Sequence, residues 1–203
     1  MSSVKTRKLD ISTILAVVKA QTGSGATGPT PNPEIGYAVL RESRPAGNNS
    51  AITFNGTTPI TRQINDVSSN GLNITLSQTP DWTFTIQEAG TYAIRARACA
   101  TPNNTTSFGQ AYYTTRLYLY NNSNQILLSG DSMVFGQFND AAVNNYINYW
   151  PNLSGILTLP ASSVVSLRQH TTNNIASAAI GGIAENVNGR EEVYAVIEIQ
   201  KIA

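Results

Sequence analysis

Apolar and polar residues alternate with a period of two along most of the chain. Trp82, Phe84 and Ile86 alternate with Thr83, Thr85 and Gln87, and after Glu88-Ala-Gly90 the residues Tyr92, Ile94, Ala96 and Ala98 alternate with Ala93, Arg95 and Arg97. A period of two is the signature of a strand with one face on a core, and Gly90 marks the turn between two such strands. The Trp82–Ala98 segment therefore predicts strand, tight turn, strand, a unit that builds a core and carries no catalytic group. The same pattern predicts strands over Ile35–Leu40, Ala51–Phe54, Leu72–Leu76, Ala111–Tyr120, Gln125–Leu128, Leu153–Leu159, Ser163–Gln169 and Glu192–Ile202. Pro59–Ile64 reads as an edge strand because proline is confined to edges and strand starts. Asn55-Gly56 and Asn70-Gly71 are tight-turn signals. Asp131–Tyr149 reads as a short strand with a long aromatic loop, and the Ala/Gly/Asn-rich Asn173–Gly189 as mostly loop.

Eight to ten short strands separated by turns about every ten residues predict an all-β antiparallel sandwich or barrel rather than βαβ units. No internal repeat is present. The first 34 residues differ. Ile11, Ile14, Leu15 and Val18 fall on one face of a short amphipathic helix, with Asp10 as its N-cap. Lys5, Arg7 and Lys8 precede it, and a Gly/Pro-rich linker, Thr22–Pro33, follows. The expected organisation is an arm over 1–34 and one β domain over 35–203. The apolar run is too short to span a membrane, and charges bracket it too closely for a good signal peptide. A helix this short needs a body to pack on, which makes residues 4–18 a candidate anchoring element.

Several strands are apolar or aromatic on both faces. Tyr112, Tyr118 and Tyr120 lie behind Leu117 and Leu119, and Tyr194 and Val196 lie behind Ile197 and Ile199. One face fills the sandwich and the other needs cover, so Tyr112, Tyr118, Tyr120 and Tyr194 are candidates for a homo-oligomer interface. Tyr146, Tyr149 and Trp150 are candidates for a ligand-binding loop.

Composition narrows the function. Of 203 residues only 12% are charged and the net charge is +1, so no global field attracts nucleic acid. Polarity comes from Asn, Thr, Ser and Gln, and Asn alone supplies roughly a tenth of the chain. The lone Cys99 excludes an intrachain disulfide and reads as a small packing residue. The lone His170 has no Ser, Cys or Asp set at triad spacing, and no metal-ligand spacing or phosphate loop occurs. No enzyme, cofactor or metal is expected. The Asn-x-Ser/Thr sequons at Asn48, Asn55, Asn73, Asn103, Asn104, Asn121 and Asn152 read as a consequence of composition.

Phe84-Thr-Ile-Gln-Glu-Ala-Gly-Thr-Tyr-Ala-Ile resembles the aromatic strand, Gly-x-Tyr turn and following strand of the C1q/TNF-like jelly rolls. Arg116-Leu-Tyr-Leu-Tyr-Asn is similar to their next strand and turn. Leu153–Leu167 resembles their Leu-rich strand pair, with Ser162-Ser163 where Gly-Asp is expected, and Tyr194-Ala-Val-Ile-Glu-Ile stands at their last core strand. The resemblance covers Leu72 to the C-terminus. It implies a jelly-roll β-sandwich and a homo-oligomer, a trimer for such heads and a pentamer for the related vertex capsomers. Single jelly rolls also build capsids, penton-like vertex capsomers and fibre knobs. With the arm and the Asn/Thr-rich composition, the leading expectation is a virion structural protein that contacts other capsid proteins through its N-terminal arm. The alternative is an extracellular C1q-like trimeric head that recognises a glycan or protein through its loops.

Overall fold

The computed structural model describes residues 35–54, 56, 58–78, 80–102, 111–137, 148–173, 179–182, 184 and 189–203. The anchoring residues Lys5, Arg7, Lys8, Ile11, Ile14, Leu15 and Val18 lie outside them. The described elements are strands in this order: β1 (Tyr37–Arg44), β2 (Thr53–Phe54), β3 (Ile60–Thr61), β4 (Asp66–Asn70), β5 (Ile74–Ser77), β6 (Thr83–Ile86), β7 (Gly90–Ala98), β8 (Thr101–Pro102), β9 (Ala111–Asn121), β10 (Ile126–Ser129), β11 (Met133–Gln137), β12 (Asn152–Leu159), β13 (Ser163–Asn173), β14 (Ala179–Ile180) and β15 (Glu192–Lys201).

One sheet runs β12-β7-β15-β1-β4, and the opposing sheet runs β10-β9-β13-β6-β5, with β11 also on β9 and β3 also on β13. Every pairing is antiparallel. Four pairs nest inside one another along the chain: β1 with β15, β6 with β13, β7 with β12, and β9 with β10. A long hairpin wound around a barrel axis gives this nesting, which defines the fold as a jelly roll. A small third sheet runs β2-β14-β8.

The inward residues of the two sheets fill one core. Phe84 and Ile86 of β6, Tyr92, Ile94 and Ala96 of β7, Leu117 and Leu119 of β9, Val165 and Leu167 of β13, and Ile197 and Ile199 of β15 are all buried in it. Full burial of each large apolar side chain contributes about 1.5–3 kcal/mol, so the alternation read from sequence is also the main source of stability. The Gly-x-Tyr turn has a specific use. The buried Tyr92 ring sends its hydroxyl back to donate to Glu88 O at 2.7 Å, tying the turn to the strand it begins. Burial pushes this hydroxyl's pKa up. Glu88 in turn pairs with Lys201 at 2.8 Å, and that hydrogen bond holds its carboxyl below the usual carboxylate range.

Four expectations change. Trp82 does not extend the alternation of β6 into the core; it has a left-handed backbone (φ 49°) and is half-buried, because the chain turns there before the strand begins. Within Pro59–Ile64 only Ile60–Thr61 is strand. Asp66–Asn70, which has no alternation to announce it, is an edge strand on β1. Part of the expected 173–189 loop is strand β14, which joins β2 to β8.

Candidate interaction surfaces and the buried ion pair

The alternation in β1 places Ala38, Leu40 and then Glu42 on the inner face, and residues 60–64 place Arg62 between Ile60 and Ile64. Both side chains are fully buried, and Arg62 Nε lies 2.8 Å from Glu42 Oε2. The remaining Arg62 donors all find acceptors. Nη1 donates to Cys99 O and Gln169 Oε1, each at 3.1 Å, and Nη2 to Gly181 O at 3.2 Å and Tyr194 O at 3.1 Å. Glu42 accepts from Ser50 Oγ at 2.7 Å and from Gln63 N at 3.3 Å. Gln169 passes the network to Thr115, and Thr171 joins it there. A guanidinium supplies five donors in a rigid fork, so one side chain ties β13 and β15 to Cys99 just past β7 and to Gly181. Its role is to fix how these elements meet.

Tyr194 belongs to this centre and not to an open face. It is 2% exposed, and its hydroxyl donates to Asn48 O at 2.7 Å. Its ring lies against Gly182, where a Cβ would come within 2.2 Å of Tyr194 Cδ1. Burial raises the hydroxyl's pKa far above the ordinary value. Alternation is interrupted at this residue: β1 and β15 pair Glu42 with Ala195 and then Ser43 with Val193, skipping Tyr194, and Gly182 packs against its ring. Cys99 is buried beside it, with Sγ 3.7 Å from Thr101 Oγ1.

Tyr118 and Tyr120 do lie on an outer face, that of the seven-stranded sheet, half-buried with ring centroids 6.0 Å apart. The Arg168 guanidinium lies 4.4 Å from the Tyr120 centroid. Tyr112 is on the same strand, and its side chain lies outside the described ones. The tyrosines with described side chains therefore occupy two sheets rather than one surface. Tyr149 bridges to Ala100 and packs beside Ile52, Phe54 and Tyr113. Trp150 lies under the Arg97 guanidinium at 5.7 Å. Tyr146 is outside the described residues. Half-buried His170 pairs in register with Arg116 on the outer face of β13.

The surface that sequence reasoning missed is the outer face of the five-stranded sheet. Its register lines up Ile156, Ala93, Gln200 and Tyr37 in one row across four strands. Ile156 is 64% and Tyr37 48% exposed. The next row holds Ser154, Arg95, Glu198 and Val39. Arg95 and Glu198 are exposed, opposite in sign and in register, yet no ion pair joins them. Ile35 and Ile202, also exposed, continue the outward alternation at the ends of β1 and β15.

The described strands thus form a jelly-roll sandwich by their own nesting. Among solved structures, the chain is similar to one described as Eiger TNF from S. frugiperda, with a TM-score of 0.45, 12% identity, and coverage of 83% of this chain and 93% of that chain. No family model and no curated protein matches the sequence. The jelly-roll assignment rests on strand order. Among the described residues no helix is long and apolar enough to cross a membrane, and no cluster of His, Cys, Asp or Glu could hold a metal.

Proposed function

We propose that the chain is a homo-oligomeric jelly-roll head, a trimer, that acts by binding and assembly and not by catalysis. The observation that supports this most directly is the outer face of the five-stranded sheet. A row of Ile156, Ala93 and Tyr37 beside an unpaired Arg95 and Glu198 is a surface with apolar area to bury and charges left for a neighbour to match. In a three-fold ring each contact is heterologous, so this face meets a different patch of the neighbouring copy, which can bring counter-charges to Arg95 and Glu198. The resemblance to C1q/TNF-like jelly rolls implies the same oligomer.

The test is mass in solution by light scattering on a sizing column. Ile156→Arg should lower the mass to that of the monomer. Val134→Arg alters a residue just as exposed (67%) but on the opposing sheet, and should leave the mass unchanged. A wild-type monomer refutes the proposal. A pentamer favours a second reading, a vertex capsomer held in a shell by the arm over residues 1–34, which the Asn/Thr-rich composition also favours. Under that reading, deleting residues 1–30 abolishes incorporation into the assembly, while a binding head so truncated keeps its ligand.

A further inference from the structure

On the opposite sheet from that interface, a polar cavity of about 280 Å³ opens between two turns. It is lined by Val164, Ser166 and Arg168 of β13, by Pro80, Asp81 and Thr83, and by Asn121, Asn122 and Asn124. The lining is built rather than incidental. Arg168 Nε donates to Ser166 Oγ at 3.2 Å, Arg168 Nη2 donates to Asn124 Oδ1 at 2.6 Å, and the guanidinium plane rests on Tyr120. Ser166, which anchors it, is 3% exposed. Three contacts hold the guanidinium, leaving its Nη1 donors without an acceptor. Across the cavity the Asp81 carboxylate accepts no hydrogen bond and pairs with no cation. The turn at Trp82, left-handed at φ 49°, places Asp81 on this rim. Asn122 and the hydroxyls of Thr61 and Thr83 supply further donors and acceptors.

The geometry points to a glycan subsite that takes one neutral sugar ring. The argument is one of charge and functional-group count. Arg168 and Asp81 sum to zero charge on the lining, so a ligand of either sign is attracted by one and repelled by the other and gains no net charge selection. An uncharged ring bearing vicinal hydroxyls can donate to Asp81 and accept from Arg168 at once, which are charge-assisted hydrogen bonds. The volume is small for a drug-sized ligand and suits a single ring. This deepens the proposed binding role, and it does not depend on oligomer number because the cavity and the interface lie on different sheets.

The test is nitrogen-15 NMR of the full chain, titrated to tens of millimolar with methyl glycosides of mannose, galactose, glucose, fucose and N-acetylglucosamine, and separately of sialic acid. The expected result is that at least one neutral glycoside shifts the Arg168 Nε–H and Asn122 side-chain signals. Asp81→Asn should weaken that binding by about tenfold or more, the effect of losing one charged hydrogen bond. Its melting temperature should stay unchanged, since Asp81 is exposed and holds no structural partner. The inference is overturned if no neutral glycoside moves these signals, if Asp81→Asn binds as well as wild type, or if only the sialoside binds. Repeating the titration on Ile156→Arg separates the two proposals, because loss of the oligomer leaves the cavity in place.

Discussion

Glu42 and Arg62 offer the sharpest test of how this fold is specified. Each is fully buried, and each is the other's only charged partner among the described residues. Removing one member of such a pair leaves an uncompensated charge in the interior, which costs about 3–5 kcal/mol. Glu42→Gln keeps the volume and an acceptor for Ser50, yet leaves the Arg62 charge without its counter-ion. Arg62→Met removes the charge and also strips the donor from Cys99 O, Gly181 O and Tyr194 O. The second should be the more damaging, because buried carbonyls lose their partners as well. Against a total stability of about 5–15 kcal/mol, either loss is a large fraction.

The assay is urea unfolding followed by tryptophan fluorescence and by far-UV circular dichroism, at one fixed protein concentration so that assembly does not shift the midpoint. With a slope of about 2 kcal/mol per molar urea, a loss of 3–5 kcal/mol lowers the midpoint by about 1.5–2.5 M. The double variant Glu42→Gln/Arg62→Met should be destabilised by less than the sum of the two singles, with a coupling of about 2 kcal/mol, because removing both charges removes the unpaired-charge penalty. Singles that cost under about 1 kcal/mol, or a double variant additive within about 0.5 kcal/mol, would falsify the claim that this pair is dry and mutually dependent.

Three further outcomes are expected. Gly182→Ala places a Cβ 2.2 Å from the Tyr194 ring at a φ of 145°, so it should destabilise by about 2 kcal/mol or more in the same urea assay. Alkaline pH should weaken the fold through Tyr92 and Tyr194, whose pKa values burial raises. With the folded pKa above the unfolded value of about 10, their contribution is complete below pH 10 and is lost as the pH climbs through the folded value. Comparing midpoints at pH 8 and pH 11 reads this slope, and Tyr194→Phe should flatten it; an unchanged slope removes Tyr194 from the account. Phe84→Ala, at the centre of the core with 0% exposure, should cost about 3–5 kcal/mol, while Trp82→Ala, outside β6 and half-buried, should cost clearly less.

What could be read from the chain and what could not divide along one physical line. Strands with a clean period of two were legible because burial on one face imposes that period: β6, β7, β9, β12, β13 and β15 stand where alternation placed them. Edge strand β4 was not, because Asp66-Val-Ser-Ser-Asn70 lies half in water and needs no apolar face. Which outer face is open was also out of reach, since alternation assigns a residue to a side but cannot say what covers that side. Parity put Tyr194 on an open face, but the pairing of β15 with β1 slips at this residue and Gly182 lies against its buried ring, neither of which alternation shows. Tyr37 and Ile156 looked like ordinary strand residues until register set them in one row. The buried ion pair did leave a signal. Glu42 follows Ala38 and Leu40 in the inward slot, and Arg62 sits between Ile60 and Ile64 in another. A charge in an inward slot is either a break in the strand or a buried partner for a second such charge. Two opposite charges in inward slots, twenty residues apart, are best read as partners for each other.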